Sequence, residues 1–157
     1  MTTKPLLLIE DSAEDVSLIR RAVEECSRDL QLWVMADGSE ALAFLRKEPP
    51  FTHAPTPALI VVDLSLPTMD GTQLLAQIRE LPAYQATPIV VLSATPKARE
   101  EQHCLQLGAS TYIQKMQNFP VYFATIKTLM WHWLNDHVSL SESTSPSSCV
   151  ICKNITP

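Results

Sequence analysis

The sequence predicts an α/β domain: a five-stranded parallel sheet in the doubly wound order 2-1-3-4-5, with helices on both faces. Three observations carry the prediction. Five short apolar runs, at residues 6–9, 32–35, 59–62, 89–92 and 111–113, punctuate the chain and lack the strict alternation of a half-solvated strand. Between them lie segments whose apolar residues recur every three or four positions, long enough to be the crossovers that parallel strands need. The length, 157 residues, suits about one domain and one core, and is too short for a receptor plus an effector. Right-handed crossovers then leave few topologies, of which 2-1-3-4-5 is the common five-stranded one.

Each element has a local reason. Residues 6–9 are a continuous apolar run that ends at Glu10 and Asp11. Ser12 can cap the next helix, with Asp15 at the capping-box position. Val16, Ile19, Val23 and Cys26 give that helix one apolar face. After the second strand, Asp37-Gly38-Ser39 is a turn and cap. Ala41, Leu42 and Leu45 mark the second helix, which Pro49 and Pro50 end. Residues 49–57 hold four prolines and predict a surface loop. The third strand is the most apolar and runs directly into Asp63. Leu74, Leu75, Ile78 and Leu81 mark a third helix. Pro88 opens the fourth strand, which ends at Ser93. Pro96 suits the first turn of a fourth helix, which carries Cys104, Leu105 and Leu107 and stops at Gly108. The fifth strand ends just before Lys115. A last helix is expected over residues 119–137. From residue 139 the chain is rich in Ser, Thr and Pro, so residues 1–138 are expected to form the domain and 139–157 a disordered tail.

Composition excludes several functions. Twelve Lys and Arg against 17 Asp and Glu give a net charge of −5, which argues against a nucleic-acid binder held by phosphate contacts. Three glycines and no G-x-x-x-x-G-K leave no nucleotide-cradling loop. No run approaches the ~18 apolar residues of a membrane span. The apolar start is too short for a secretion signal and meets Glu10 and Asp11, so a cytoplasmic location is expected. Cys149 and Cys152 form a C-x-x-C in the tail. Zinc would need two more ligands and redox chemistry a βαβ setting, so a reduced, mobile tail is the better reading.

In such a sheet, ligands bind beyond the carboxyl ends of the strands, at the switch between strands 1 and 3. Glu10 and Asp11, Asp63, Ser93 and Lys115 all fall at those ends. Each alone has an ordinary explanation, as a helix cap, a loop hydroxyl or a solvated surface lysine; their joint placement has few. Clustered carboxylates raise one another's pKa unless a cation sits among them, and hard oxygen ligands suit Mg2+. Asp63 can then attack phosphorus and become an aspartyl phosphate. Metal, ammonium and hydroxyl would neutralise the equatorial oxygens of the transferring group.

The segments Leu7-Leu8-Ile9-Glu10-Asp11-Ser12, Val61-Val62-Asp63-Leu64-Ser65-Leu66-Pro67-Thr68-Met69-Asp70-Gly71, Val91-Leu92-Ser93-Ala94, Leu107-Gly108-Ala109 and Tyr112-Ile113-Gln114-Lys115 occur in this order. Over roughly residues 4–136 the chain resembles the receiver domain of two-component response regulators. The resemblance implies a flavodoxin-like sheet and Asp63 as phosphoacceptor. It implies Glu10 and Asp11 as the acidic pair holding Mg2+ with Asp63, and the Ser65 backbone carbonyl as a further ligand. It further implies Lys115 as the phosphate-contacting lysine, Ser93 as switch hydroxyl and Tyr112 as aromatic switch, with a ring that turns inward when Ser93 moves. The implied partner is a histidine kinase, and the chain would be a signalling protein that promotes its own Mg-dependent phosphorylation and dephosphorylation. The proline-bearing loop, the bulky last helix and the lack of an effector are most similar to single-domain regulators that partner phytochrome kinases.

One position departs from the family. Met116 follows Lys115 where the family usually has Pro after a cis peptide, which leaves a strained cis bond or a trans loop. That departure also supports the alternative of a degenerate receiver acting as a phosphorylation-independent docking module. An aspartate-dependent phosphatase would need a second Asp where Ser65 stands, and an FMN binder would suffer phosphate repulsion from the acids. Finally, Phe119, Tyr122, Phe123, Ile126, Leu129, Met130, Trp131, Trp133 and Leu134 exceed the one apolar stripe a covering helix needs. Beside the ordinary reading of half-exposed tryptophans, the excess predicts an interface, here a homodimer through the last helix and the strand 5 face.

Overall fold

The computed structural model describes residues 3–135. The expected tail, its domain boundary at 138, Cys149 and Cys152, and the final two residues of the expected last helix lie outside the described residues. Five strands, β1 (Lys4–Ile9), β2 (Leu30–Met35), β3 (Leu59–Asp63), β4 (Ile89–Ser93) and β5 (Thr111–Gln114), form one sheet in the order β2-β1-β3-β4-β5, every neighbour pair parallel. Helices α1 (Ala13–Cys26), α2 (Gly38–Arg46), α3 (Gly71–Glu80), α4 (Lys97–Gln106) and α5 (Phe119–Asn135) supply the crossovers and the final cover. The expected architecture is the observed one.

The period-2 alternation of each strand splits its apolar run between two cores. Leu7, Ile9, Ile60, Val62 and Val91 pack with α2, α3 and Cys104 of α4. Leu6, Leu8, Leu59, Val61 and Leu92 pack with Ile19 and Val23 of α1 and with Tyr122, Ile126 and Met130 of α5. Both faces are covered, so the strands need no polar alternation. Register then aligns the strand ends. Ile9 pairs with Val62 and Asp63 with Leu92, so Glu10, Asp63 and Ser93 reach the same edge of the sheet.

Several details differ from the sequence expectation. Strand β2 begins at Leu30, two residues early, because Leu30 pairs with Lys4 at the start of β1. Pro96 is the N-cap of α4 and not its first helical residue. The proline-bearing loop is no simple surface loop: Phe51 sets its ring 5.5 Å from that of Phe44, and Ala54 is buried. The only cis peptide among the described residues is Pro49–Pro50, so Lys115–Met116 is trans, and Met116 packs against the α1–α5 core. Tyr112 corrects the expected switch and interface geometry. Its ring already lies inward, 4% exposed, in the α2–α3–α4 core, whereas α5 covers the other face of the sheet. The apolar excess of α5 is resolved in the same way. Tyr122, Ile126 and Met130 are buried and Phe123, Leu129 and Trp133 half-buried, while Phe119, Val121 and Trp131 stand exposed. None of the described helices is long and apolar enough to cross a membrane.

Candidate functional site

Glu10 follows the last residue of β1 and is 1% exposed, and Asp63 closes β3 at 2%; Asp11, one residue on, faces solvent. One carboxylate oxygen from each of the three lies within 4.8 Å of the others. The backbone fixes these acids. Ser12 N–H donates to Glu10 Oε1 at 3.1 Å, and Ser65 N–H donates to Asp63 Oδ1 at 3.2 Å, an Asx turn that folds the chain back beside the cluster.

Lys115 reaches in from the loop after β5. Its Nζ lies 2.8 Å from Asp15 Oδ2, 3.0 Å from Glu10 Oε2 and 3.4 Å from Asp63 Oδ1. The trans peptide to Met116 therefore leaves the lysine at the acids. Burial disfavours the ammonium, but the hydrogen bonds to Asp15 and Glu10 outweigh it and hold Lys115 above its usual range. Glu10 goes the other way. Burial, joined by the charge of Asp63, pushes its carboxyl up to about 7 despite the bond from Lys115. Tyr122 of α5 is buried near these charged groups. Its buried hydroxyl has no hydrogen-bond partner among the described residues, and burial, then the charge of Asp15, raises its pKa.

Three carboxylates, Glu10, Asp15 and Asp63, thus share one ammonium, and Asp11 adds a fourth acid beside Glu10 and Asp63. The donor set is all oxygen, and two of the acids are almost fully buried. That excess of desolvated negative charge fits a hard divalent cation such as Mg2+. A cation held by Glu10 would have to displace the proton that its raised pKa retains. Affinity for Mg2+ is accordingly expected to weaken as pH falls through about 7, with proton release on binding. Without metal the sign is that of a raised carboxyl: Glu10 contributes stability present below its ordinary value of 4.5 and lost as pH rises to about 7. Calorimetric Mg2+ titrations at pH 6 and pH 8 check this. An unchanged affinity, or a pH shift that persists in Glu10→Gln, contradicts it.

Ser93, fully buried, ends β4. Its hydroxyl donates to Glu100 Oε2 at 3.2 Å and accepts the Thr95 N–H at 3.1 Å. The Tyr112 hydroxyl donates to the Thr95 carbonyl at 2.7 Å, with Glu100 Oε2 3.4 Å away. All the sequence-expected residues except Tyr112 and Ser65 thus present side chains at one edge, and Ser65 is held there by its backbone. Two participants escaped sequence reasoning. Asp15 has an ordinary explanation as a capping position, and its N–H does donate a long bond to Ser12 Oγ at 3.4 Å, but its carboxylate serves Lys115. Glu100 carries no local signal; only its place one turn into α4, over β4 and β5, brings it to Ser93.

A parallel sheet whose first and third strands end in a buried acidic cluster, with a lysine after the fifth and a hydroxyl after the fourth, defines a phosphoacceptor receiver of two-component signalling. The family model of the response regulator receiver domain matches residues 6–127, and the chain belongs to that family. Its relatives include the response regulator Rcp1 of Synechocystis sp., 31% identical over 131 residues that make up 83% of this chain and 89% of the relative. Among solved structures, the phosphorylated cyanobacterial phytochrome response regulator RcpA is 32% identical. It superposes with a TM-score of 0.81 over 92% of this chain and 99% of RcpA. The Mn2+-bound form of Rcp1 is 31% identical with a TM-score of 0.79, over 84% of this chain and 95% of Rcp1.

Proposed function

We propose that this response regulator accepts a phosphoryl group from a histidine kinase onto Asp63 and signals through the resulting change of its protein-binding surface. The observation that carries this reading is the setting of Asp63: a buried carboxylate at the end of the central strand, within reach of Lys115 and of two further acids. In the transfer, an Asp63 oxygen forms a P–O bond as the P–N bond of the phosphohistidine breaks, and the imidazole nitrogen keeps the electron pair. Glu10, Asp11, Asp63 and the Ser65 carbonyl would hold Mg2+, which supplies charge neutralisation at the phosphoryl oxygens when bound. Lys115 turns an N–H from its carboxylates to a phosphoryl oxygen, and Ser93 offers its hydroxyl to another. Burial keeps bulk water from the acyl phosphate. The same groups serve self-catalysed phosphorylation from small donors and hydrolysis of the product.

The kinase we infer is of the phytochrome class, in the cytoplasm, on the strength of the likeness to RcpA along nearly its whole length. The docking-module alternative loses its support, because the trans Lys115–Met116 bond still leaves Nζ 3.4 Å from Asp63. The test is phosphotransfer from a labelled phytochrome kinase. Label is expected to move to the wild-type chain and not to Asp63→Asn; transfer from other histidine kinases but none from a phytochrome removes the narrower assignment.

We also infer a homodimer, built on α5 and not on Tyr112. Phe119, Val121 and Trp131 expose large apolar side chains along it, and a standard interface of about 1,600 Å² needs such a core. Trp131→Glu is expected to shift sedimentation toward monomer; an unchanged monomer–dimer constant rules this surface out.

A further inference from the structure

We propose that Glu100 of α4 is the positioning residue that holds the switch in its resting arrangement, its carboxylate competing with a phosphoryl oxygen for the single proton of Ser93. The inference rests on the reading of Asp63 as phosphoacceptor and Ser93 as a donor to its phosphoryl group.

A serine hydroxyl has one proton to give. Here Ser93 gives it to Glu100 Oε2, and its lone pairs take the Thr95 N–H. It cannot donate to a phosphoryl group on Asp63 without withdrawing from Glu100. Tyr112 is tied into the same knot. Its proton goes to the Thr95 carbonyl, and the Glu100 oxygen that accepts from Ser93 lies 3.4 Å from its hydroxyl. One carboxylate oxygen on α4 therefore touches both the residue at the end of β4 and the aromatic on β5. No ion pair among the described residues involves Glu100, whereas its neighbour Glu101 pairs with Lys97. The charge of Glu100 is met by these hydroxyls, and a bond to a charged acceptor is stronger than one between neutral groups.

The consequence is a set-point. Glu100 lowers the fraction of molecules in which Ser93 is free to turn to the phosphoryl group, and apparent affinity for the phosphorylated arrangement falls by that fraction. When Ser93 does leave, Glu100 keeps only the long contact to Tyr112, so its hold on the end of β4 loosens at the same moment. The local charge event at Asp63 is thereby coupled to the position of a surface helix.

Beryllofluoride with Mg2+, a phosphoryl mimic, is the probe. Its apparent dissociation constant would be measured for wild type, Glu100→Gln and Glu100→Ala, together with Mg2+ affinity alone and melting temperature. Glu100→Ala is expected to tighten beryllofluoride about 5- to 20-fold, with Glu100→Gln in the same direction and smaller. Mg2+ affinity should not change, since Glu100 touches none of the acidic trio. In a Ser93→Ala background the effect of Glu100→Ala should vanish, which a merely structural role would not produce. Unchanged or weaker binding by both folded Glu100 variants, or tightening that survives Ser93→Ala, overturns the inference while leaving the phosphoacceptor reading intact. A wild-type chain that binds Mg2+ but no beryllofluoride overturns that reading, and this inference with it.

Discussion

Replacing Gly71 with Ala is expected to destabilise the domain by about 3 kcal/mol, a drop in melting temperature of roughly 10 °C. Gly71 opens α3 where the loop after Asp63 returns to the sheet, and its N–H donates to the Leu64 carbonyl at 3.2 Å. A Cβ there would stand 2.4 Å from Leu64 Cα, 2.9 Å from Leu64 Cδ2 and 3.0 Å from the Asp63 carbonyl oxygen. The obstacle is backbone, and it belongs to the strand end that carries Asp63, the proposed phosphoacceptor. The substitution must either lift α3 or push Asp63 out of line with Glu10, so phosphorylation should fail along with stability. Gly38 is the control. A Cβ there meets mainly Met69, whose Sδ lies 3.0 Å away on a flexible side chain, and Gly38→Ala should cost far less. Denaturant unfolding of the two variants measures the contrast. Equal stabilities would mean that the close approach at Gly71 is not what the site depends on.

Replacing Lys115 with Met should move two quantities in opposite directions. The ammonium touches three carboxylates, so its loss leaves Glu10, Asp15 and Asp63 with no cation among them. Removing one partner of a buried pair costs about 3–5 kcal/mol when the orphaned charge must stay, but Glu10 can take up a proton and relieve part of it. Mg2+ then meets a more negative pocket with no competing ammonium, and its affinity should rise. Phosphoryl transfer should fall by about 10²-fold or more, because a donor aimed at the developing charge has gone. The comparison is made by titrating Mg2+ and by timing phosphorylation from acetyl phosphate. If Lys115→Met phosphorylates at the wild-type rate, the lysine only neutralises the resting pocket. If both quantities fall together, it holds the acids in place instead of competing for them.

These two positions show what was legible in the chain and what was not. The strand ends could be read directly, because four apolar runs lead straight to Glu10, Asp63, Ser93 and Gln114 before Lys115. Burial on both faces makes such runs conspicuous. Gly71 was legible as part of a motif but not as a steric requirement, since the atoms it must clear belong to Leu64 and Asp63 across a loop. Asp15 already had a local explanation as a helix cap, and nothing in one sequence reports that its carboxylate meets a lysine a hundred positions away. Glu100 was hidden for the same reason. The face chosen by Tyr112 depends on strand parity. Its register partner Val91 belongs to the α2–α3–α4 core, and a one-residue slip would have turned the ring toward α5. Phe51 was masked by its prolines, which mark a loop but do not say whether the loop rests on the core.

On the reading proposed above, the buried acidic cluster serves to place a phosphoryl group on one carboxylate. The direct measurement is intact-mass analysis of the chain after incubation with acetyl phosphate and Mg2+, followed by localisation of the label. A single added phosphoryl group is expected, dependent on Mg2+, located at Asp63 and absent in Asp63→Asn. A phosphoryl group retained by Asp63→Asn at wild-type levels, or none acquired by the folded wild-type chain with Mg2+ bound, would contradict the account.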